Sequence, residues 1–223
     1  MVDGWLLRFS DGYSLRSNSV STLDYRGISL ERSVPQVEAA YRRERLAPQF
    51  QISPASEPQG LESCVQKRGY VAKPPTAFMI AEARGMAEAG TVRVLGSADA
   101  DFVHLTREGS HSVADGDERL TTLARIELPK AFFIGNDGET AVACGASVAT
   151  GDWASVYVMR TSPHYRGRGH GKRVLGAIAA WALAQGASNL YLQVDEANAT
   201  ARRLYARAGF RDGYRYLHYH LSE

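Results

Sequence analysis

Hydrophobic positions recur at two spacings along the chain, and each spacing predicts a different kind of element. Alternating positions with many β-branched residues predict strands at 49–53, 76–83, 91–96, 189–195 and 214–221. Apolar positions three or four residues apart predict helices at 61–69, 98–108, 118–128, 172–185 and 198–210. Strands and helices therefore alternate along most of the chain.

The first part of the chain carries weaker signals. Residues 4–20 predict two strands that meet at a hairpin-type turn at 10–12. A helix is expected to begin at Ser33, with Pro35 in its first turn. Residues 84–90 have low hydrophobicity and predict a connector.

The longest run of strand-like sequence lies in the second half. Residues 131–161 predict a meander of three strands, with turns at 136–138 and 151–152. A polar loop at 110–117 is expected before it, between two helices.

The stretch 163–171, PHYRGRGHG, follows the meander and precedes a helix. Its three glycines alternate with basic residues. A strand-to-helix turn of this kind presents several backbone N–H groups and the positive end of a helix dipole to one point. The stretch therefore predicts an anion-binding turn.

The two halves of the chain resemble each other. An offset of 140 positions aligns Tyr25-Arg26-Gly27 with Tyr165-Arg166-Gly167, and Gly69-Tyr70 with Gly209-Phe210. One offset that holds over about 45 residues predicts an internal duplication.

The two copies differ at the turn. Ser29 and Glu31 stand where the second copy has Gly169 and Gly171. A side chain at either position crowds an approaching anion, and a carboxylate also repels it. We therefore expect only the second copy to bind one.

Composition limits the classes of partner. The chain has 26 basic and 24 acidic residues and a formal net charge of +2, a balance that does not favour a general nucleic-acid or membrane surface. Its two cysteines, Cys64 and Cys144, fit a reducing compartment and form no metal-site spacing. Neither a signal peptide nor an apolar run of about 18 residues is evident, so we expect a cytoplasmic protein.

Two nucleotide-binding motifs do not fit the glycine turn. A Walker loop requires Ser or Thr after Gly-Lys, but Arg173 follows Gly171-Lys172. A dinucleotide fingerprint requires a third glycine where Lys172 stands. It also requires an acidic residue about 20 residues further on, and the first acid after the turn, Asp195, comes later than that.

A different pattern does fit the turn. Arg166-x-x-Gly169-x-Gly171 resembles the coenzyme A loop of the GNAT superfamily of acyl-CoA-dependent N-acyltransferases. The stretch 198–210 is similar to the other signature of that superfamily, Asn-x-x-Ala-x-x-Leu-Tyr followed by Gly-Phe. The matching residues there are Asn198, Ala201, Leu204, Tyr205, Gly209 and Phe210.

The resemblance implies a fold and a division of the chain. The fold is α/β (α+β), with a mixed, mostly antiparallel central sheet flanked by helices. Residues 86–223 are expected to form the catalytic GNAT domain. Residues 1–85 are expected to form a degenerate GNAT-like domain without a coenzyme loop. Such a domain could stabilise the active one, form a wall of its acceptor pocket, or hold a homodimer together.

The resemblance also implies roles for individual residues, with acetyl-CoA as co-substrate and no metal. Tyr205 is expected to protonate the departing thiolate, and Asn198 also suits a helix N-cap. The residues expected to bind the coenzyme are Val158, Met159, Thr161, Arg166, Gly167, Arg168, Gly169, His170, Gly171, Lys172 and Asn198.

The general base stays open, because the strand before the turn contains no acid. The side-chain candidates are Asp195, Glu196, His164 and Tyr157. A chain of waters, or an amine that binds already neutral, would serve instead.

The acceptor also stays open. The leading hypothesis is the primary amine of a small molecule, and the alternatives are a peptide or protein amine and a non-catalytic acyl-CoA sensor. Residues 107–118 are the expected lining of the acceptor cleft, and acids there favour a cationic amine.

Overall fold

The computed structural model describes residues 1–87 and 91–221. The predicted connector at 84–90 therefore lies partly outside the described residues. Twelve strands and six α-helices are present in the described ranges, with a short 3-10 helix at Pro163–Tyr165. The strands are β1 Leu6–Leu7, β2 Val20–Ser21, β3 Gln49–Ile52, β4 Tyr70–Ala72, β5 Thr76–Glu82, β6 Val92–Leu95, β7 Lys130–Asp137, β8 Thr140–Thr150, β9 Trp153–Ser155, β10 Tyr157–Thr161, β11 Asn189–Asp195 and β12 Arg211–Leu221. The helices are α1 Leu30–Arg43, α2 Leu61–Lys67, α3 Ala100–Glu108, α4 Val113–Ala124, α5 His170–Ala184 and α6 Ala199–Arg207.

The chain packs into two compact units, and neither is a continuous stretch. The first contains Met1–Ala77, Asp195–Ala197 and the end of the chain from Tyr214. The second contains Phe78–Val194 and Asn198–Gly213. The predicted boundary at residue 85 separates two continuous pieces and stays a prediction.

The first unit has a four-stranded order, β1-β2-β3-β12, with β4 also paired to β12. β2 and β3 are parallel, with Val20 opposite Phe50, and the other pairs in this unit are antiparallel. Its core is rich in aromatic side chains because Trp5, Tyr41 and Phe50 are all fully buried.

The first helix begins earlier than predicted. Ser29, and not Ser33, precedes its first residue, Leu30. Pro35 therefore lies beyond the first turn, inside the helix. Ser33 is buried, and its hydroxyl lies 3.0 Å from the Tyr25 hydroxyl, so its polarity signals a tertiary contact and not a cap.

The predicted hairpin at 4–20 is only partly present. β1 and β2 do pair in antiparallel fashion, with Leu6 opposite Ser21. Each strand has only two residues, and 8–19 connect them in place of a tight turn at 10–12.

The second unit contains the sheet order β5-β11-β9-β8-β7-β6, with β10 paired to β8. β11 is parallel to β9, and the pairs made by β6, β7, β8, β9 and β10 among themselves are antiparallel. Helices flank these strands, so the predicted mixed, mostly antiparallel sheet with flanking helices is confirmed.

Two predictions for the second unit were wrong. The stretch 110–117 is not a loop throughout, because α4 begins at Val113 with the Ser112 hydroxyl accepting from Asp115 N at 3.1 Å. The meander has four strands and not three, because Val156 separates β9 from β10.

Two predictions on single features can be compared with the structure. Cys64 and Cys144 are both free thiols, and the reducing compartment stays a prediction. Within residues 1–87 and 91–221, no helix combines the length and the apolar character that a membrane span needs.

Candidate active site

The strand before the glycine turn is bent. The pairing of β10 with β8 changes register between Tyr157 and Arg160. Val158, inside this bulge, has a φ of +48°, a conformation that a β-branched residue rarely adopts. Such strain persists only where the surrounding structure holds it, and it is frequent at functional sites. The bulge turns the strand from Met159 onward.

The bend leaves a gap in the sheet. The amide of Val156 donates to the Tyr191 carbonyl of β11 at 2.8 Å. Beyond that point, in the part of the chain that the structure describes, β10 pairs only with β8 and β11 pairs with β9 and β5. In the described residues no strand pairs with the edges of β10 and β11 that face each other, so an extended ligand can pair there. On β10, the Met159 and Thr161 carbonyls accept hydrogen bonds from the side chains of Arg160 and Arg166.

The first unit lacks such a gap. Its strands before and after α1 are β2 and β3, and they pair directly with each other. An extended ligand has no unpaired strand edge between them.

The glycine turn begins α5. Gly167 and Gly169 have φ of +77° and +84°, in the left-handed region that favours glycine. Gly169 is the N-cap residue, and no side chain caps this helix. The first intrahelical bond runs from Arg173 N to Gly169 O, which leaves the amides of the first turn without an intrahelical partner. These amides and the helix dipole suit a phosphate group.

A cavity of about 710 Å³ extends from this turn along the end of β10 to α6. Its wall is formed by Gly109, Met159, Arg160, Thr161, Tyr165, Arg166, Gly167, Gly169, His170, Gly171, Lys172, Asn198, Thr200, Ala201, Arg203, Leu204, Tyr205, Arg207 and Ala208. Four arginines and one lysine are among these residues, and no aspartate or glutamate is. The cavity therefore favours a polyanionic ligand.

Tyr205 lies in this wall and is 8% exposed. Burial raises the pKa of its phenol to about 12, and the positive charge of Arg160 opposes that shift. The hydroxyl is therefore protonated throughout the neutral range and is able to donate a proton. The Tyr205 ring packs edge-on against Phe210, with 5.7 Å between centroids.

Asn198 begins α6, the helix that carries Tyr205. Its Oδ1 accepts a hydrogen bond from the Ala201 amide at 3.0 Å, which confirms the predicted N-cap role. Asn198 also lies in the cavity wall, so both roles that the sequence suggested are compatible with its position.

His170 is the first residue of α5 and is 2% exposed. Arg173 Nη2 donates to its Nδ1 at 2.6 Å, so this nitrogen carries no proton. Burial, followed by the charge of Arg173, lowers the pKa of His170. The imidazole is therefore neutral and supports the turn through this contact.

Most of the predicted coenzyme-binding residues lie in the cavity wall. Val158 and Arg168 do not. Val158 packs against the core under α3, and Arg168 lies 3.5 Å from Asp137 and over the Tyr165 ring. For the other positions the role in binding stays a prediction.

Three cations of the wall were missed by the sequence analysis. Arg203 and Arg207 are four residues apart and share the face of α6 that carries Leu204, so helical spacing could have identified them. Arg160 stands within the strand whose neighbours were selected, and only the bulge brings it into the cavity.

None of the four side-chain candidates for the general base lines the cavity. Glu196 pairs with Arg215 at 2.7 Å, and Asp195 accepts from the Ala197 amide. Tyr157 lies 3.4 Å from the Tyr191 hydroxyl, and His164 is exposed beside the turn.

The described residues show no group of side chains arranged to bind a metal ion. Among residues 1–87 and 91–221, no three or more His, Cys, Asp or Glu side chains come together as metal ligands would.

Comparison with known proteins identifies the family. A family model described as "Probable histone acetyltransferase Rv0428c C-terminal" matches residues 1–219. The "Uncharacterized N-acetyltransferase YobR" of Bacillus subtilis is 27% identical over 224 residues, which cover 94% of this chain and 86% of that protein.

Solved structures share the fold. A GCN5-related N-acetyltransferase from Kribbella flavida has a TM-score of 0.73 at 14% identity, covering all of this chain and 88% of that one. A "Tandem GNAT protein from the clavulanic acid biosynthesis pathway" has a TM-score of 0.64 at 12% identity, covering 91% of this chain and 74% of that one. The chain belongs to the Rv0428c C-terminal family and is an N-acetyltransferase of the GNAT type.

Proposed function

We propose that the protein transfers an acetyl group from acetyl-CoA to the primary amine of a small molecule, by direct attack within a ternary complex. The observation that carries this proposal is the cationic cavity, which joins the uncapped start of α5 to Tyr205 and has no carboxylate in its wall. A coenzyme with several phosphates matches that charge.

In the proposed complex, the first-turn amides of α5 bind the pyrophosphate. Arg166 and Lys172 add full positive charges beside them. The edge of β10 at Met159–Thr161, which faces β11, binds the pantetheine arm as an added strand would be bound. Acetyl-CoA supplies the thioester as the acetyl donor.

Tyr205 is the proposed general acid. Its phenol is buried, protonated at neutral pH and placed in the cavity wall. Proton donation to the leaving sulfur converts a poor leaving thiolate into a neutral thiol.

The cavity wall contains no carboxylate that could act as the general base. We propose that the amine reaches the site in its neutral form or loses its proton to water. A rising dependence of rate on pH, toward the pKa of the amine, follows from this proposal.

A protein amine is the second candidate acceptor, because the matching family is described as a probable histone acetyltransferase. The two candidates differ in how much of the acceptor must be recognised. A peptide acceptor should show kcat/KM rising with peptide length, whereas a small amine should not.

The first unit is proposed to be a degenerate copy of the GNAT fold. The offset of 140 that aligns the sequences also carries Leu30, the first residue of α1, onto His170, the first residue of α5. It likewise carries Gln49, the first residue of β3, onto Asn189, the first residue of β11. Such a unit would act as a supporting domain, in a cytoplasmic enzyme.

The test is free-thiol release from acetyl-CoA with a panel of amines, amino acids, polyamines, aminoglycosides and lysine-containing histone-tail peptides. We expect turnover with a small amine that Tyr205→Phe lowers and Gly169→Glu abolishes. Turnover with peptides alone would favour the second candidate. Tight acetyl-CoA binding by calorimetry, without turnover on any acceptor, would instead indicate a sensor.

A further inference from the structure

Arg160 brings a positive charge into the cavity without a counter-ion. In the described residues the one hydrogen bond of its side chain runs from Nη1 to the Met159 carbonyl at 3.0 Å. Its Nε is buried without a partner, and no carboxylate of residues 1–87 and 91–221 forms an ion pair with it. A largely buried guanidinium normally has an anionic partner, because desolvation of an unpaired charge is unfavourable.

The neighbouring acid is already engaged elsewhere. Asp115 is the carboxylate whose charge acts most on Arg160, and it is bound by Arg119 at 2.9 to 3.0 Å. Burial, followed by repulsion from the positive charge of Arg119, lowers the pKa of Arg160. The cation and the carboxylate that act most on Arg160 are thus already paired with each other.

The chain also makes room for this side chain. Gly109, at the end of α3, lies so close to Arg160 that a Cβ there would overlap Arg160 Cδ and lie 2.8 Å from Nε. Gly109 has a φ of −88°, so glycine is required there for space and not for backbone conformation. The position of the Arg160 guanidinium, on β10, therefore also depends on Gly109 at the end of α3.

The place of Arg160 separates it from the phosphate-binding cations. Arg166 and Lys172 belong to the glycine turn and the start of α5, and Arg203 and Arg207 to α6. Arg160 belongs to β10 and acts electrostatically on Tyr205, the proposed acid at the thiol. An acetyl group is uncharged and offers this cation a carbonyl oxygen but no anion.

We infer that Arg160 binds the carboxylate of a substrate, in a subsite between β10 and the end of α3, beside Tyr205. The carboxylate belongs either to an amino-acid-like acceptor or to an acyl group that ends in one. A guanidinium donates two parallel hydrogen bonds to a carboxylate, and such charge-assisted bonds are the strongest kind. The inference rests on the proposed function, since it adds a substrate class to the same cavity.

The experiment uses matched pairs that differ in one carboxylate. The acceptor arm compares alanine with ethylamine and lysine with cadaverine, each with acetyl-CoA. The donor arm compares succinyl-CoA with butyryl-CoA, at a fixed amine. Wild type, Arg160→Met and Arg160→Lys are measured for kcat/KM in each pair, and for affinity by titration calorimetry, which does not require turnover.

We expect wild type to prefer the carboxylate-bearing member in one arm. Arg160→Met should lower kcat/KM and affinity for that member by about 10- to 100-fold, the range expected for a hydrogen bond to a charged group. It should lower kcat/KM and affinity for the uncharged member of the pair by a smaller factor, and Arg160→Lys should keep part of the preference. The arm in which the preference appears identifies the source of the carboxylate.

Two controls separate a specific effect from a folding defect. Gly109→Ala keeps the charge but displaces the Arg160 side chain, so it should reduce the same preference. Arg125→Met removes an exposed arginine at the end of α4 and should leave the preference unchanged.

The outcomes distinguish this inference from the proposed function. Equal losses in Arg160→Met for both members of every pair would overturn the carboxylate subsite, as would a wild type without a preference in either arm. If no amine is acetylated but calorimetry retains the Arg160-dependent preference, the proposed transfer fails and the carboxylate subsite stands.

Discussion

Gly171 of α5 faces Leu204 of α6 so closely that a Cβ at Gly171 would lie 3.2 Å from Leu204 Cδ2 and 3.7 Å from Thr161 Oγ1. The last glycine of the turn therefore serves the packing of two helices and not a left-handed backbone, which only Gly167 and Gly169 adopt within it. Leu204 immediately precedes Tyr205, so this contact ties the anion-binding helix to the helix of the proposed acid.

Gly171→Ala tests this contact. Alanine gains up to about 1 kcal/mol over glycine in a helix, but here the Leu204 side chain must shift to admit the Cβ. We expect Gly171→Ala to be more stabilising in a Leu204→Val background than in wild type, by about 0.5–1 kcal/mol. Urea unfolding of the four proteins of this cycle measures the difference, and strictly additive free energies would contradict the contact.

The left-handed turn is tested by Gly169→Ala, with Gly186→Ala as its control. Both glycines flank α5, and both have a φ of +84°. Each substitution should cost about 1 kcal/mol of stability, because alanine is strained at that φ. Only Gly169→Ala should also weaken acetyl-CoA binding, by about tenfold or more in calorimetry, since Gly169 alone lies in the cavity wall. Equal affinities in the two variants would remove the turn from the binding site.

Tyr205→Phe tests the proposed acid. Loss of a general acid lowers kcat by about 100-fold or more, whereas the affinity for acetyl-CoA should change little. Because burial raises the pKa of Tyr205 to about 12, the wild-type rate should show no fall between pH 7 and 10 from ionisation of this phenol. A variant with the wild-type kcat at every pH would exclude Tyr205 as the acid.

His218 of β12 predicts how stability depends on pH. It is 3% exposed with Nε2 unpartnered, and burial, followed by the charges of Arg16, Arg8 and Lys73, lowers its pKa to about 3. An unfolded histidine has a pKa near 6.5, so between these values the unfolded chain binds more protons than the folded one. The stabilising contribution is complete above about pH 6.5 and is lost as the pH falls toward 3.

His218→Phe removes this dependence and keeps an aromatic ring beside Tyr216, which now lies 5.3 Å from the imidazole centroid. From pH 7 to pH 5, the free energy of unfolding should fall by about 2 kcal/mol less in the variant than in wild type. His220→Gln, on the same strand, is the control. Parallel pH profiles for wild type and His218→Phe would show that the buried imidazole does not resist protonation.

The features that the sequence predicted best are those that local chemistry determines. Gly167 and Gly169 are required by the backbone of the turn itself, and Asn198 caps α6 through an amide three residues on. Patterns of this kind depend on neighbours along the chain. They can be identified without knowledge of the packing.

The failures concern residues whose role depends on distant partners. Asp115 looks like a loop residue, but it is buried in α4, where Arg119 binds it. The capping signal at Ser112 could have corrected that error. Arg160 could not have been found in this way, because its place in the cavity results from a bulge that forms only when β10 pairs with β8.

Because β2 pairs directly with β3, glycines at the turn would not by themselves give the first unit a binding site. Glycines restored at positions 29 and 31 would free the start of α1 and remove the Glu31 carboxylate. The hydrogen bonds that join Val20 and Ser21 to the facing strand would remain, so an elongated ligand would still find no edge to occupy. Point substitutions at the turn can therefore abolish binding in the second unit, but the reverse substitutions cannot create it in the first.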